Sequence, residues 1–154
     1  MCIRDRPYAI SHDAVRPFGY SLTAGGKKVS VMTDLGHVTE KILKQAEGSS
    51  IVLLESNHDV EMLKCGPYPY YLKRRILSTH GHLSNDDAAQ TACRLVQSGV
   101  RGILLGHLSE KNNFYELAYE TVCGILQQNG ITIGKHVAVG RAKREGVTGL
   151  YSAL

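Results

Sequence analysis

Apolar residues fall along this chain in two rhythms, a period of two near the start and a helical period later. Tyr20, Leu22, Val29 and Val31 alternate with polar neighbours on either side of Gly25-Gly26, which predicts a β-hairpin turning at the glycines. Tyr8–Ser11 reads as a short strand leading into His12. After the hairpin, Thr39 can cap a helix to about Gln45, with Ile42, Leu43 and Ala46 on one face and Gly48 beyond its end. Ile51-Val52-Leu53-Leu54 is a continuous apolar run ending in Glu55-Ser56-Asn57, the pattern of a buried strand. Short helices are expected over Val60–Cys65 and Pro69–Leu77, separated by Gly66-Pro67.

A polar hinge, Ser78–Asn85, precedes a helix capped by Ser84 or Asn85, with Asp86 and Asp87 in its first turn. Its apolar face is Ala88, Ala89, Ala92, Leu95 and Val96, and Gly99 lies past its end. Gly102–Leu105 is a second buried strand, delivering Gly106-His107-Leu108-Ser109. From about Lys111 to Gln128 the period is clearest, with Phe114, Leu117, Ala118, Thr121, Val122, Ile125 and Leu126 on one face. Val137–Val139 is a last strand before a basic, glycine-containing tail. Strands alternating with helices predict an α/β fold.

Composition adds bounds. A chain of 154 residues is one domain's worth, and 43% hydrophobic with 21% charged content is that of an ordinary globular protein. No apolar run reaches the length of a membrane span. Cys2, Cys65, Cys93 and Cys123 are scattered, which fits free thiols in a reducing cytoplasm. The net charge of +4 is mild and dispersed, and its tightest cluster is Lys73-Arg74-Arg75. That cluster suits either a phosphate backbone or a solvated helix face. Met1-Cys2-Ile3-Arg4-Asp5 reads as the translation of a transposon end used in sequencing libraries. Residues 1–6 are therefore expected to be a foreign leader.

Several groups with metal-binding chemistry fall at strand ends. His12 follows one strand, and Asp34, Glu55 and His107 follow three others. In α/β folds the loops beyond the carboxyl ends of strands converge on one rim, so these groups and His82 have a plausible common edge. Imidazole with carboxylate suits zinc or a similar divalent ion. The competing reading is a capping Asp and structural histidines. His58 and His80 fit either as groups orienting ligands or as exposed loop residues, and His37 and His136 read as peripheral. Tyr68, Tyr70 and Tyr71 suit base stacking, although packing of their helix against the core is the simpler expectation.

The segments His12-Asp13-Ala14 with Pro17-Phe18-Gly19-Tyr20, Thr33-Asp34-Leu35-Gly36 and Leu54-Glu55-Ser56-Asn57-His58-Asp59 occur in that order, followed by Gly81-His82-Leu83-Ser84-Asn85 and Leu105-Gly106-His107-Leu108-Ser109. In this order the chain resembles metallo-β-lactamase-fold hydrolases, most closely their YycJ-type (WalJ) branch, over roughly Tyr8–Ala142. The resemblance implies the C-terminal half of an αββα sandwich with two metal ions, zinc or manganese, at its rim. His12 matches a terminal ligand of one metal, Asp34 the carboxylate bridging both, and His107 a ligand of the second. By likeness to ribonuclease Z and ribonuclease J, Glu55 and His82 match groups placed around the scissile phosphate. The implied activity is a phosphodiesterase or nuclease acting on DNA or RNA through a metal-bound hydroxide.

The family's His-x-His-x-Asp-His signature, which supplies three ligands and an Asp, does not occur in this sequence. The expectation is thus half of an active site, residues 7–154 being the C-terminal part of one domain and inactive alone. Two other readings stand beside the nuclease: hydrolysis of a small ester, thioester or lactone, and a non-catalytic interaction module whose cut sheet seeks a partner. A homo-oligomer is compatible with the latter. No membrane association is expected.

Overall fold

In the computed structural model, which describes residues 3–149 and Tyr151, six strands form one mixed sheet in sequential order. The strands are β1 (Ile3–Ala9), β2 (Phe18–Ala24), β3 (Lys27–Met32), β4 (Ile51–Glu55), β5 (Gly102–Gly106) and β6 (Ala138–Arg141). The helices are α1 (Glu40–Ala46), α2 (Val60–Cys65), α3 (Tyr70–Ile76), α4 (Asn85–Gln97) and α5 (Tyr115–Gln128). β1–β2 and β2–β3 pair antiparallel, and every later pair is parallel. Ala24 faces Lys27 across the Gly25-Gly26 turn, whose residues have φ of 56° and 76°, the region that glycine occupies without strain.

Differences from the sequence expectation have local causes. β1 begins at Ile3, because Ile3–Arg6 find ladder partners on β2 despite their place in the expected leader; Met1 and Cys2 lie outside the described residues. It ends at Ala9, so His12 sits in the loop beyond it. α5 starts at Tyr115, and Phe114 is an extended residue at its cap, 51% exposed, so it leaves the buried face. β6 is shifted to Ala138–Arg141. Ser84 is the cap of α4 and accepts from the Asp87 amide, whereas Asn85 is buried.

One sheet face is covered. Met32, Val52, Leu54, Ile103 and Leu105 are buried with Ile42, Leu43, Ala46, Ala88, Ala92, Leu95, Val122 and Leu126 of the helices in one core. The other face is apolar but open. Tyr20, Val31, Leu53 and Leu104 are aligned in one row across four strands, and Leu22, Val29 and Ile51 in the next. Tyr20 and Leu22 are 46% and 39% exposed, and Val29, Val31, Ile51, Leu53 and Leu104 are only partly covered. The apolar runs of β4 and β5 therefore mark strands made for burial on both sides, with one side filled here. Among the described residues no helix is long and apolar enough to cross a membrane.

Candidate metal centre

β1, β3, β4 and β5 all run in the same direction, so the loops leaving them meet at one rim. Two backbone contacts draw those loops tight. A Cβ on Gly36 would lie 2.2 Å from the Thr79 carbonyl oxygen, and one on Gly81 would lie 2.1 Å from that of Ile76, so both positions need glycine. Asp13 N–H donates to His80 O, and Gly36 N–H to Ser11 O, pinning the His12 loop between the other two. Asp34 and His107 themselves sit at φ of 59° and 56°, the only non-glycine residues with positive φ among those described. Left-handed backbone at two strand ends is a strained feature of the kind that collects at functional sites.

The imidazoles share one logic. His12 Nδ1 lies 3.1 Å from the Gly81 carbonyl oxygen, which can only accept, so Nδ1 carries the proton. His82 Nδ1 and His107 Nδ1 lie 2.7 and 2.6 Å from the same carboxylate oxygen, Glu55 Oε1. Each ring thus has its Nδ1 occupied and its Nε2 lone pair directed elsewhere, the arrangement that prepares histidine to ligate a metal. Nε2 of His12 and Nε2 of His107 are each 3.7 Å from Asp34 Oδ1. The His82 ring stands between the other two, with centroids 5.0 and 5.2 Å away.

Glu55 is fully buried, and its Oε2 also accepts from the Leu35 amide at 2.8 Å and the Leu83 amide at 3.4 Å. Burial pushes this carboxyl up, but hydrogen bonds from His107 and His82 outweigh it and hold it below the usual carboxylate range. The same bond raises His107 above its ordinary value, against the opposing effect of burial. With its oxygens so engaged, Glu55 orients two rings.

Asp34, Glu55, His82 and His107 each offer a ligand atom within 4.8 Å of the others, a group able to hold a metal ion. His12 stands outside that group yet approaches Asp34 as closely as His107 does. In a tetrahedral zinc site with bonds near 2.1 Å, neighbouring ligand atoms are about 3.4 Å apart. Separations of 3.7 Å around Asp34 Oδ1 need little contraction to match, and the N and O donors suit zinc or manganese.

Of the other histidines, His58 is buried, and neither ring nitrogen has a hydrogen-bond partner among the described residues. Burial lowers its pKa to about 4. His80 is exposed beside Thr79, and His37 is an exposed residue bonded to the Thr79 carbonyl. His136 accepts from the Thr132 amide away from the rim. Sequence reasoning missed a buried amide cluster beneath the site. Ser56 Oγ donates to Asn85 Oδ1, Asn85 Nδ2 to Asn113 Oδ1, and Asn113 Nδ2 to the Ser56 carbonyl. Asn57 Nδ2 donates to the His107 carbonyl at 2.8 Å, fixing that loop. The adjacent Asn112-Asn113 pair before an apolar helix was the available signal.

Residues 4–108 match the family described as beta-lactamase superfamily domain. Among curated proteins, the chain is 39% identical over 128 residues to exodeoxyribonuclease YycJ of Bacillus anthracis, covering 83% of this chain and 48% of that one. It is 41% identical over 127 residues to exodeoxyribonuclease WalJ of Streptococcus pneumoniae, covering 82% and 47%. The chain thus spans about half the length of the curated relatives it matches. Among solved structures, the metallo-beta-lactamase fold protein YhfI from Bacillus subtilis superposes with a TM-score of 0.61 at 14% identity, over 92% of this chain and 46% of that one. On the family match and the shared fold, the chain belongs to the beta-lactamase superfamily, in its metallo-β-lactamase fold.

Proposed function

We propose that this chain supplies half of the active site of a metal-dependent phosphodiesterase acting on DNA or RNA. The observation that carries the reading is the pair of Nε2 atoms, from His12 and His107, both turned toward Asp34 Oδ1 with their Nδ1 atoms tied off. In this reading His12, Asp34 and His107 would be ligands for divalent ions, zinc or manganese. Such ions supply Lewis acidity toward a phosphoryl oxygen and lower the pKa of water.

The remaining roles belong to the side chains themselves. In this reading His82 Nε2, opposite the nitrogen fixed by Glu55, binds a phosphate oxygen or passes a proton to the departing oxygen in the imidazolium form of the ring, which the Glu55 carboxylate stabilises. Glu55 keeps both His82 and His107 in one tautomer and stabilises the proton on each Nδ1. Two curated relatives named exodeoxyribonucleases support a nucleic-acid substrate. Free Cys65, Cys93 and Cys123 are compatible with a cytoplasmic setting.

The open apolar face supports a second sheet layer in the whole protein, carrying the absent His-x-His-x-Asp-His ligands; residues 7–154 are then the C-terminal part of one domain. A small ester is the competing substrate. It is favoured by one observation: Arg75 and Arg144, which line one cavity with His82 and His107, are already paired with Asp13 and Glu110. The deciding experiment joins this chain to the upstream region of its gene and assays nucleic acids and small esters with zinc and with manganese. Cleavage of nucleic acid is expected. Turnover of esters alone overturns the nuclease, and no turnover of either overturns the hydrolase.

A further inference from the structure

We infer that α3 is a docking platform for single-stranded nucleic acid, leading a strand end into the cavity beside His82 and His107; the inference rests on the phosphodiesterase reading above. An ordinary amphipathic helix would bury its aromatics, and α3 does the reverse. Ile76 is buried and Leu72 faces the cavity, while Tyr70 and Tyr71 are 75% and 74% exposed. The helix does pack against the core, as expected, but through Ile76 and not through Tyr70 and Tyr71.

Cations follow the rings along the helix, and one lies beside a ring. The Arg74 guanidinium lies 5.9 Å from the centre of the Tyr70 ring. α3 carries no acidic residue in its first turn, and Lys73, Arg74 and Arg75 fill its last. Lys73 Nζ donates to the Lys64 carbonyl, and among the described residues neither Lys73 nor Arg74 pairs with a carboxylate. Exposed aromatic rings beside cations without a carboxylate partner suit a chain of stacking bases on a phosphate backbone, and a duplex hides the base faces they need.

Other residues of the same helix border the candidate metal centre. A cavity of about 330 Å³ is lined by Tyr68, Leu72 and Arg75 on one side and by His82 and His107 on the other. That volume is in the range of small-ligand pockets. Arg75 also pairs with Asp13, whose carboxylate lies 3.5 Å from His12 Nε2, so the helix is tied to the loop of a proposed ligand.

The test is fluorescence anisotropy of the full 154-residue chain with a labelled oligodeoxythymidine and with a blunt duplex, both in chelator, so that binding is read without metal. The Y70A/Y71A double variant should weaken the single strand about tenfold or more and leave the duplex nearly unchanged. Y70F/Y71F should retain binding, because stacking needs the ring. Circular dichroism should stay unaltered, since both side chains are exposed. Equal binding of the strand by Y70A/Y71A and the original chain overturns the platform and leaves the metal centre untouched. Equal weakening for strand and duplex overturns it too. Failure of the original chain to bind either oligonucleotide overturns the nucleic-acid reading itself.

Discussion

His107 Nδ1 lies 2.6 Å from Glu55 Oε1, and this bond sets the direction in which the opposite nitrogen of the ring points. The carboxylate is buried and has acceptor contacts from two rings and two amides. Glu55→Gln keeps the shape but turns one acceptor into a donor facing a donor. Metal affinity should fall about 10- to 100-fold, as for other groups that orient a metal-ligating histidine. Stability should fall by about 1–3 kcal/mol. Zinc titration and urea denaturation of the same variant read the two effects, and an unchanged affinity would remove Glu55 from its orienting role.

The left-handed backbone of His107 gives a separate prediction. His107→Ala and His107→Gly both remove the imidazole, but only glycine adopts φ near 56° freely. The glycine variant should be more stable than the alanine variant by about 1 kcal/mol in denaturant unfolding. The opposite order would show that this φ carries no strain.

His58 makes acid stability the third prediction. Its folded pKa of about 4 is below the ordinary value of 6.5, so between those values the unfolded chain binds a proton that the folded one does not. This residue's contribution is constant above pH 6.5 and is lost as pH falls toward 4, by about 3 kcal/mol in total. His107 acts in the other direction and elsewhere. Its raised pKa contributes stability that is complete below 6.5 and lost as pH rises through its folded value. His58→Leu should flatten the acid limb. It should cost little at pH 7, because neither ring nitrogen of the histidine has a partner to lose among the described residues. A variant that loses more than about 2 kcal/mol at pH 7 would point to a bonding role for the ring.

The open sheet face predicts association. Tyr20→Glu with Leu22→Glu should shift this chain toward monomer in sedimentation velocity without lowering its stability, because both positions face solvent here. In a protein with a second layer, the same pair should destabilise by about 2 kcal/mol or more per side chain. An effect of the same size and sign in both settings would argue against a covering layer.

Much of the fold was legible because its signals are local. The Gly25-Gly26 hairpin, the Thr39 cap and the apolar runs at Ile51 and Ile103 each specify an element without reference to the rest. The rim was legible through residue type at strand ends for Asp34, Glu55 and His107, to which His12 and the hinge residue His82 could be added. Tertiary facts were not. Nothing near Phe114 announces that α5 begins one residue later, because the buried Asn112-Asn113 turn takes its partners from Ser56 and Asn85 far away in sequence. Likewise an apolar run like Ile51–Leu54 does not say which of its faces is covered; the partly exposed Leu53 is a property of the sheet's surroundings.

The most direct test of the metal centre is calorimetric titration of this chain with zinc. The original chain should bind saturably, and Asp34→Ala, His107→Ala and His12→Ala should each weaken binding about tenfold or more, while His136→Ala, away from the rim, should not. Absence of zinc binding by the original chain, or equal binding by all four variants, would contradict a centre built on Asp34.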